Sequence, residues 1–152
     1  MQIFLDTASV QEIKQGAETG LISGVTTNPT LAAKAGREYN DVLKEICSII
    51  KGPVSAETVS PDAEGMVKEG IVFSKIAKNI VVKVPMTVEG MKACQQLTKK
   101  GIRVNVTLVF SANQALLAAK SGAFLVSPFV GRLDDIGKIG MDVVRDIKQV
   151  YD

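Results

Sequence analysis

Apolar residues in this chain fall into two alternating patterns. Short runs bounded by turn residues predict buried strands, and longer stretches with apolar positions three and four apart predict helices. Strands are predicted at about Gln2–Asp6, Gly24–Thr27, Val54–Glu57, Ile80–Pro85, Arg103–Leu108 and Phe124–Ser127. Between them, Ser9-Val10-Gln11-Glu12 reads as a capping box opening a helix. Asn28-Pro29 starts a helical region that continues to about Ile50. Ser60-Pro61 supplies an N-cap and a proline at the first helical position. Thr87 and Ser111 are caps for the next two helices, and a last helix runs from about Asp134 to the end. The most apolar stretch, Leu108 to Val126, is interrupted by Asn113, Gln114 and Lys120. It divides into a strand end, a helix and a strand rather than forming a membrane span.

Six consecutive strand–helix units with short connections imply a parallel sheet with helices packed over it. An open doubly wound sheet and a closed barrel both satisfy that pattern. Polar residues separate them. Asp6, Thr26, Asn28, Glu57, Lys83, Asn105, Thr107 and Ser127 all lie at or near the C-terminal ends of their strands. An open sheet gathers ligand groups mainly at one switch point, whereas a barrel gathers them from every strand around one mouth. The expected fold is therefore α/β, of the (β/α)8 TIM-barrel type, in a single domain over residues 1–152. Single-domain barrels run to at least about 200 residues, so this one is expected to be truncated after six βα units. An open barrel of this kind exposes sheet edges and apolar inner surface.

Lys83 stands in the middle of the apolar run Ile80-Val81-Val82-Lys83-Val84-Pro85. A lysine seldom lies buried without a reason. Burial disfavours an ammonium ion, and a neutral lysine amine is the nucleophile that forms Schiff bases with carbonyl compounds. The competing reading is a lysine snorkelling from an edge strand into water. Each of its companions also has an ordinary reading. Thr26, Thr107 and Ser127 suit strand-end hydroxyls bonded to the backbone. Asp6-Thr7 and Asn28-Pro29 suit turns or helix caps. Glu57 suits a strand-end charge in solvent, Phe129 suits plain core, and Arg132 suits a surface partner of Asp134 or Asp135. Their convergence on one rim around a buried lysine favours a site.

Composition narrows the chemistry. Histidine is absent, so proton transfer falls to carboxylates, lysine, hydroxyls or water, and histidine metal sites and Ser-His triads are excluded. No Gly-rich phosphate loop of the Walker or dinucleotide type is present. Cys47 and Cys94 form no metal or redox spacing and are expected as reduced thiols in a cytoplasmic protein. The net charge of +2 is spread over both signs along the chain, which gives no basic block for nucleic acid. Lys99-Lys100 reads as a solvated helix end. The N-terminus opens directly on a strand, so no signal peptide is expected.

Five motifs run through the chain in order: Phe4-Leu5-Asp6-Thr7-Ala8, Gly24-Val25-Thr26-Thr27-Asn28-Pro29, Val82-Lys83-Val84-Pro85, Asn105-Val106-Thr107-Leu108 and Ser127-Pro128-Phe129-Val130-Gly131-Arg132. Together they resemble the small transaldolases, class I Schiff-base enzymes related to fructose-6-phosphate aldolases. The resemblance implies a barrel that moves a dihydroxyacetone unit between sugar phosphates in the pentose phosphate pathway, with no metal or organic cofactor. It implies that Lys83 forms the Schiff base and that Asp6 takes and returns the hydroxyl proton of carbon–carbon cleavage. Glu57, with Thr107 and a water, would shuttle protons during imine formation and hydrolysis. Asn28, Asn105 and Ser127 would hold the three-carbon unit, Thr26 would support them, and Arg132 would meet the substrate phosphate. The expected partners are small sugar phosphates and further copies of the chain in a homo-oligomer, with no nucleic acid and no membrane.

Phe129 and Glu57 stand where the aldolase branch tends to carry tyrosine and glutamine, and in both the chain resembles the transaldolase branch. Two alternatives stay open at this point: a simple fructose-6-phosphate aldolase-like lyase, and an inactive truncated barrel fragment.

Overall fold

A computed structural model describes residues 1–34 and 36–152. Among the described residues the elements follow as β1 (Ile3–Asp6), α1 (Val10–Glu18), β2 (Ile22–Thr26), α2 (Pro29–Lys34), α3 (Tyr39–Ile49), β3 (Val54–Glu57) and α4 (Ala63–Ser74). Then come β4 (Ile80–Pro85), α5 (Val88–Lys99), β5 (Val104–Val109), α6 (Ala112–Lys120), β6 (Leu125–Pro128), α7 (Val130–Asp135) and α8 (Met141–Tyr151). The strands form one parallel sheet in the order β1-β2-β3-β4-β5-β6. Chain order and spatial order therefore coincide, as six successive units of the (β/α)8 design require.

The sheet curls. Laid flat, five spacings of about 4.8 Å would put β1 and β6 roughly 24 Å apart. Instead Asp6 of β1 and Ser127 of β6 line one cavity. Alternation along the strands divides the two faces. Val25, Val54, Ala56, Ile80, Val82, Val84, Val104 and Val106 point outward into the apolar core beneath the helices. Ser55, Lys83, Asn105 and Thr107 occupy the intervening inward positions and are also buried. β1 and β6 each have one strand neighbour among the described residues, so the curl is open.

Side-chain caps at Thr87 and Ser111 occur as the sequence indicates, accepting from the backbone N–H of Gly90 and Gln114. Four expectations are corrected. The predicted helical region after Asn28-Pro29 divides into α2 and α3. Gly36, at φ +67°, donates to Ala33 O, and Arg37 N–H donates to Ala32 O; this reversed turn satisfies the last carbonyls of α2 and ends it. The final helix divides likewise, with Gly137 at φ +75° between α7 and α8. Asp62, not Ser60, caps α4 by accepting from Gly65 N–H. Ser60 instead bonds Glu69 through both its N–H and its hydroxyl. The capping box at α1 is half formed. Ser9 Oγ accepts from Glu12 N–H, but Glu12 takes the hydroxyl of Thr7, and Ser9 N–H donates to Thr7 Oγ1.

α5 approaches the end of β4 closely because residue 90 is glycine. A Cβ there would lie 1.8 Å from Pro85 O, and neither group is a flexible side-chain end. Gly90→Ala is expected to force α5 off the sheet, at a cost of about 3 kcal/mol or more. Thermal denaturation followed by circular dichroism should show a melting temperature lower by roughly 6–12 °C.

Candidate active site

β4 places Lys83 on the inward face beside Glu57 of β3 and Asn105 of β5, its register partners. Only 7 % of Lys83 is accessible, so it does not snorkel to solvent. Its Nζ lies 3.0 Å from Glu57 Oε2. Glu57 is half-buried and is not a free strand-end charge. The pairing offsets the desolvation of both ions and gives the amine a carboxylate within proton-transfer distance.

On the opposite wall, Thr26 donates its hydroxyl to Asp6 Oδ1 at 2.8 Å. This bond fixes the Asp6 carboxylate at the end of β1 and is not the backbone bond a strand-end threonine often makes. Asn28 has two roles: its Oδ1 accepts from Leu31 N–H as the cap of α2, and the residue lines the cavity.

A buried polar chain crosses the interior below the lysine. Ser127 Oγ donates to Asn105 Oδ1 at 3.0 Å, and Asn105 Nδ2 donates to Ser55 Oγ at 3.1 Å. Three strands thereby hold the Asn105 amide in one orientation. Thr107 is also inward and buried, and its Oγ1 has no hydrogen-bond partner among the described residues. Leu108 follows it at φ +60°, within the register shift between Val106 and Val109. A non-glycine residue in this region is uncommon, and bulges of this kind recur beside active sites, where they redirect a strand.

Asp6, Thr26, Asn28, Lys83, Thr107, Ser127, Phe129 and Arg132 line a cavity of about 740 Å³. An adjoining cavity of about 410 Å³ shares Asn28, Lys83, Thr107 and Phe129 and adds Glu57 and Lys34. Phe129 is not plain core. It stands at both cavities, with its ring edge-on to Phe110 at 5.5 Å. Arg132 is exposed on the rim, with Asp135 Oδ2 at 3.8 Å from its Nη1. Of the residues singled out in the sequence, Asp6, Thr26, Asn28, Glu57, Lys83, Thr107, Ser127, Phe129 and Arg132 line these two cavities. Asn105 lies just below them.

Two residues of this arrangement lie outside those the sequence singles out. Ser55 sits two positions before Glu57 on the same strand face, so the strand period itself carried the signal. Tyr39 accepts the Glu57 backbone N–H at 2.8 Å from a different unit, and no local pattern marks it. The cysteines are free, and burial pushes each thiol up to about 11, so neither supplies a thiolate at neutral pH. Among the described residues no three histidine, cysteine or carboxylate side chains gather as metal ligands. No helix among them is long and apolar enough to cross a membrane.

Residues 3–152 match the family described as Transaldolase/Fructose-6-phosphate aldolase. The chain is 57 % identical over 152 residues to a probable transaldolase of Leptospira biflexa, covering 71 % of that protein. It is 61 % identical over 151 residues to a probable transaldolase of Methanococcus vannielii, covering 70 % of it. It is 62 % identical over 151 residues to one of Herpetosiphon aurantiacus, covering 68 % of it. In these pairs 99–100 % of this chain is aligned, so it spans about seven tenths of its relatives' length. Among solved structures, mandelate oxidase with benzoyl-formic acid matches 82 % of this chain and 48 % of its own at a TM-score of 0.57 and 12 % identity. The carboxyl transferase domain of Rhizobium etli pyruvate carboxylase matches 82 % and 26 % at a TM-score of 0.55 and 16 % identity. At such identities these two likenesses show the fold alone.

Proposed function

The chain belongs to the transaldolase/fructose-6-phosphate aldolase family, and on that premise we propose that it carries the Schiff-base machinery of a transaldolase. The reaction read here moves a dihydroxyacetone unit between sedoheptulose 7-phosphate and glyceraldehyde 3-phosphate on one side and erythrose 4-phosphate and fructose 6-phosphate on the other. The observation that carries this reading is the buried Lys83 amine held 3.0 Å from a carboxylate at the wall of a polar cavity.

The amine must shed a proton before it attacks, and Glu57, with Oε2 3.0 Å away, takes it. Attack of Nζ on the C2 carbonyl gives a carbinolamine. Loss of water, with Glu57 returning the proton to the departing hydroxyl, gives the iminium. Thr107 Oγ1, buried and without a partner among the described residues, is available to hold that water. Asp6 then removes the proton of the C4 hydroxyl. The C3–C4 bond breaks, its electron pair passes into the iminium as an enamine, and the aldehyde leaves. With an acceptor aldehyde the sequence reverses: the enamine carbon attacks, and Asp6 gives the proton back to the nascent alkoxide. Asn28, Asn105 and Ser127 offer amide and hydroxyl groups to the oxygens of the three-carbon unit. Arg132 on the rim exchanges its loose contact with Asp135 for the substrate phosphate.

Borohydride trapping with fructose 6-phosphate, read by intact and peptide mass, tests the reading. A reduced adduct on the peptide containing Lys83 supports it. No adduct from folded protein sinks it and leaves an inactive fragment of the family. Phe129 bears on which branch of the family the chemistry follows. A phenyl ring offers no proton to the bound enamine, so the intermediate waits for an aldehyde, whereas a tyrosine hydroxyl offers one. Phe129→Tyr is therefore expected to raise simple cleavage of fructose 6-phosphate by about tenfold at the expense of transfer to erythrose 4-phosphate. A coupled assay of glyceraldehyde 3-phosphate release checks it, and unchanged or slower cleavage counts against it.

A further inference from the structure

Glu57 is the carboxylate on which Lys83 depends, yet at that residue the sheet supports its strand on one side only. Thr58 N–H donates to Lys83 O across to β4 at 3.0 Å. Backbone groups of successive strand residues point to opposite sides, so the Glu57 N–H points toward β2. β2 pairs with β3 through Val25–Val54 and Thr26–Ser55, and beyond Thr26 the chain turns away into α2. The partner that meets the Glu57 N–H is the phenolic oxygen of Tyr39, at 2.8 Å. Tyr39 is the first residue of α3. Its ring is braced edge-on by Phe73 of α4, with centroids 5.8 Å apart and planes at 89°. Burial, opposed only in part by the Glu57 backbone bond, pushes the phenol well above its usual range. The oxygen therefore remains a neutral acceptor at any working pH.

We propose that Tyr39 is a positioning residue for Glu57: its phenol replaces the missing strand partner and holds the carboxylate against the Lys83 amine. The consequence for turnover rests on the function proposed above, and the contact itself does not. Among the described residues, no other hydrogen bond holds the Glu57 backbone on the β2 side. A net backbone hydrogen bond of about 1.4 kcal/mol corresponds to a tenfold change in occupancy of the paired geometry.

The test uses the wild-type chain and Tyr39→Phe, which keeps the ring against Phe73. In the wild type the Glu57 amide should exchange slowly although no strand among the described residues covers it. In the variant it should exchange about ten times faster. In spectra of ¹³C-lysine-labelled protein, the Lys83 Cε resonance of the variant should move toward its position in Glu57→Ala. Borohydride-trapped adduct should form about tenfold more slowly with KM within about twofold, and the acid limb of the rate–pH profile should move. A wild-type Glu57 amide that exchanges like an open loop overturns the proposal without recourse to any variant. So does a variant with unchanged Glu57 exchange and an unchanged Lys83 resonance, whatever its melting temperature. If the wild type traps no adduct, the proposed function fails, and the two magnetic-resonance readouts still decide the role of Tyr39.

Discussion

Lys83→Ala is expected to abolish adduct formation and to lower transfer by roughly ten-thousand-fold or more, as loss of a covalent nucleophile does elsewhere. Among the described residues, no second lysine lines both cavities. Lys34 lines the adjoining cavity but not the larger one. Peptide mapping after borohydride reduction therefore tests the position of the chemistry as well as its existence. An adduct that survives in Lys83→Ala and maps to Lys34 would move the nucleophile to α2. The variant leaves Glu57 without its cation, but Glu57 is half-buried and can hydrate, so the fold is expected to persist. A circular dichroism spectrum like that of the wild type separates lost chemistry from lost structure.

Asp6→Asn is expected to separate the two halves of the reaction. The amide keeps an oxygen that can accept the Thr26 hydroxyl, and Asp6 is exposed, so the local structure should hold. It no longer accepts a proton from the substrate hydroxyl. Adduct trapping on Lys83 should stay within a few-fold of wild type, while transfer to erythrose 4-phosphate falls by roughly 10²–10⁴-fold, the range of general acid–base catalysis. Trapping and turnover measured on the same preparation give the answer. Transfer within about twofold of wild type would remove Asp6 from its role. Loss of trapping in proportion to transfer would place Asp6 in imine formation instead.

The barrel-type fold could be read from the chain because each strand is a short apolar run and each helix has its own period. The candidate site could be read because polar side chains at strand ends are conspicuous against those runs; Lys83 among one isoleucine and three valines is the clearest case. What escaped notice depends on backbone conformation or on contacts across units. Gly36 and Gly137 end helices by adopting positive φ, and the apolar period continues past both of them. Ser60-Pro61 carries the usual signature of a helix start, yet Glu69 of α4 captures Ser60 and leaves Asp62 to cap. Leu108 adopts a left-handed backbone with no glycine or asparagine to announce it. Tyr39 reaches Glu57 across 18 positions, and a phenylalanine there would have given the same hydrophobic pattern.

Because spatial order follows chain order in the sheet, the fold lends itself to assembly during synthesis. Each strand needs only the strand of the preceding unit, so a growing chain at about 5–20 residues per second can add one unit every few seconds. The entropic cost of loop closure is then met in small, nearly equal steps. The polar side chains would assemble in the same sequence. The Asp6–Thr26 bond forms once β2 docks, the Lys83–Glu57 pair once β4 docks, and the Ser127–Asn105 bond only with β6. A nascent chain stalled within α5 would already hold its amine–carboxylate pair, but with no Ser127, Phe129 or Arg132 to wall it in. The amine–carboxylate pair would thus exist before the cavity that surrounds it.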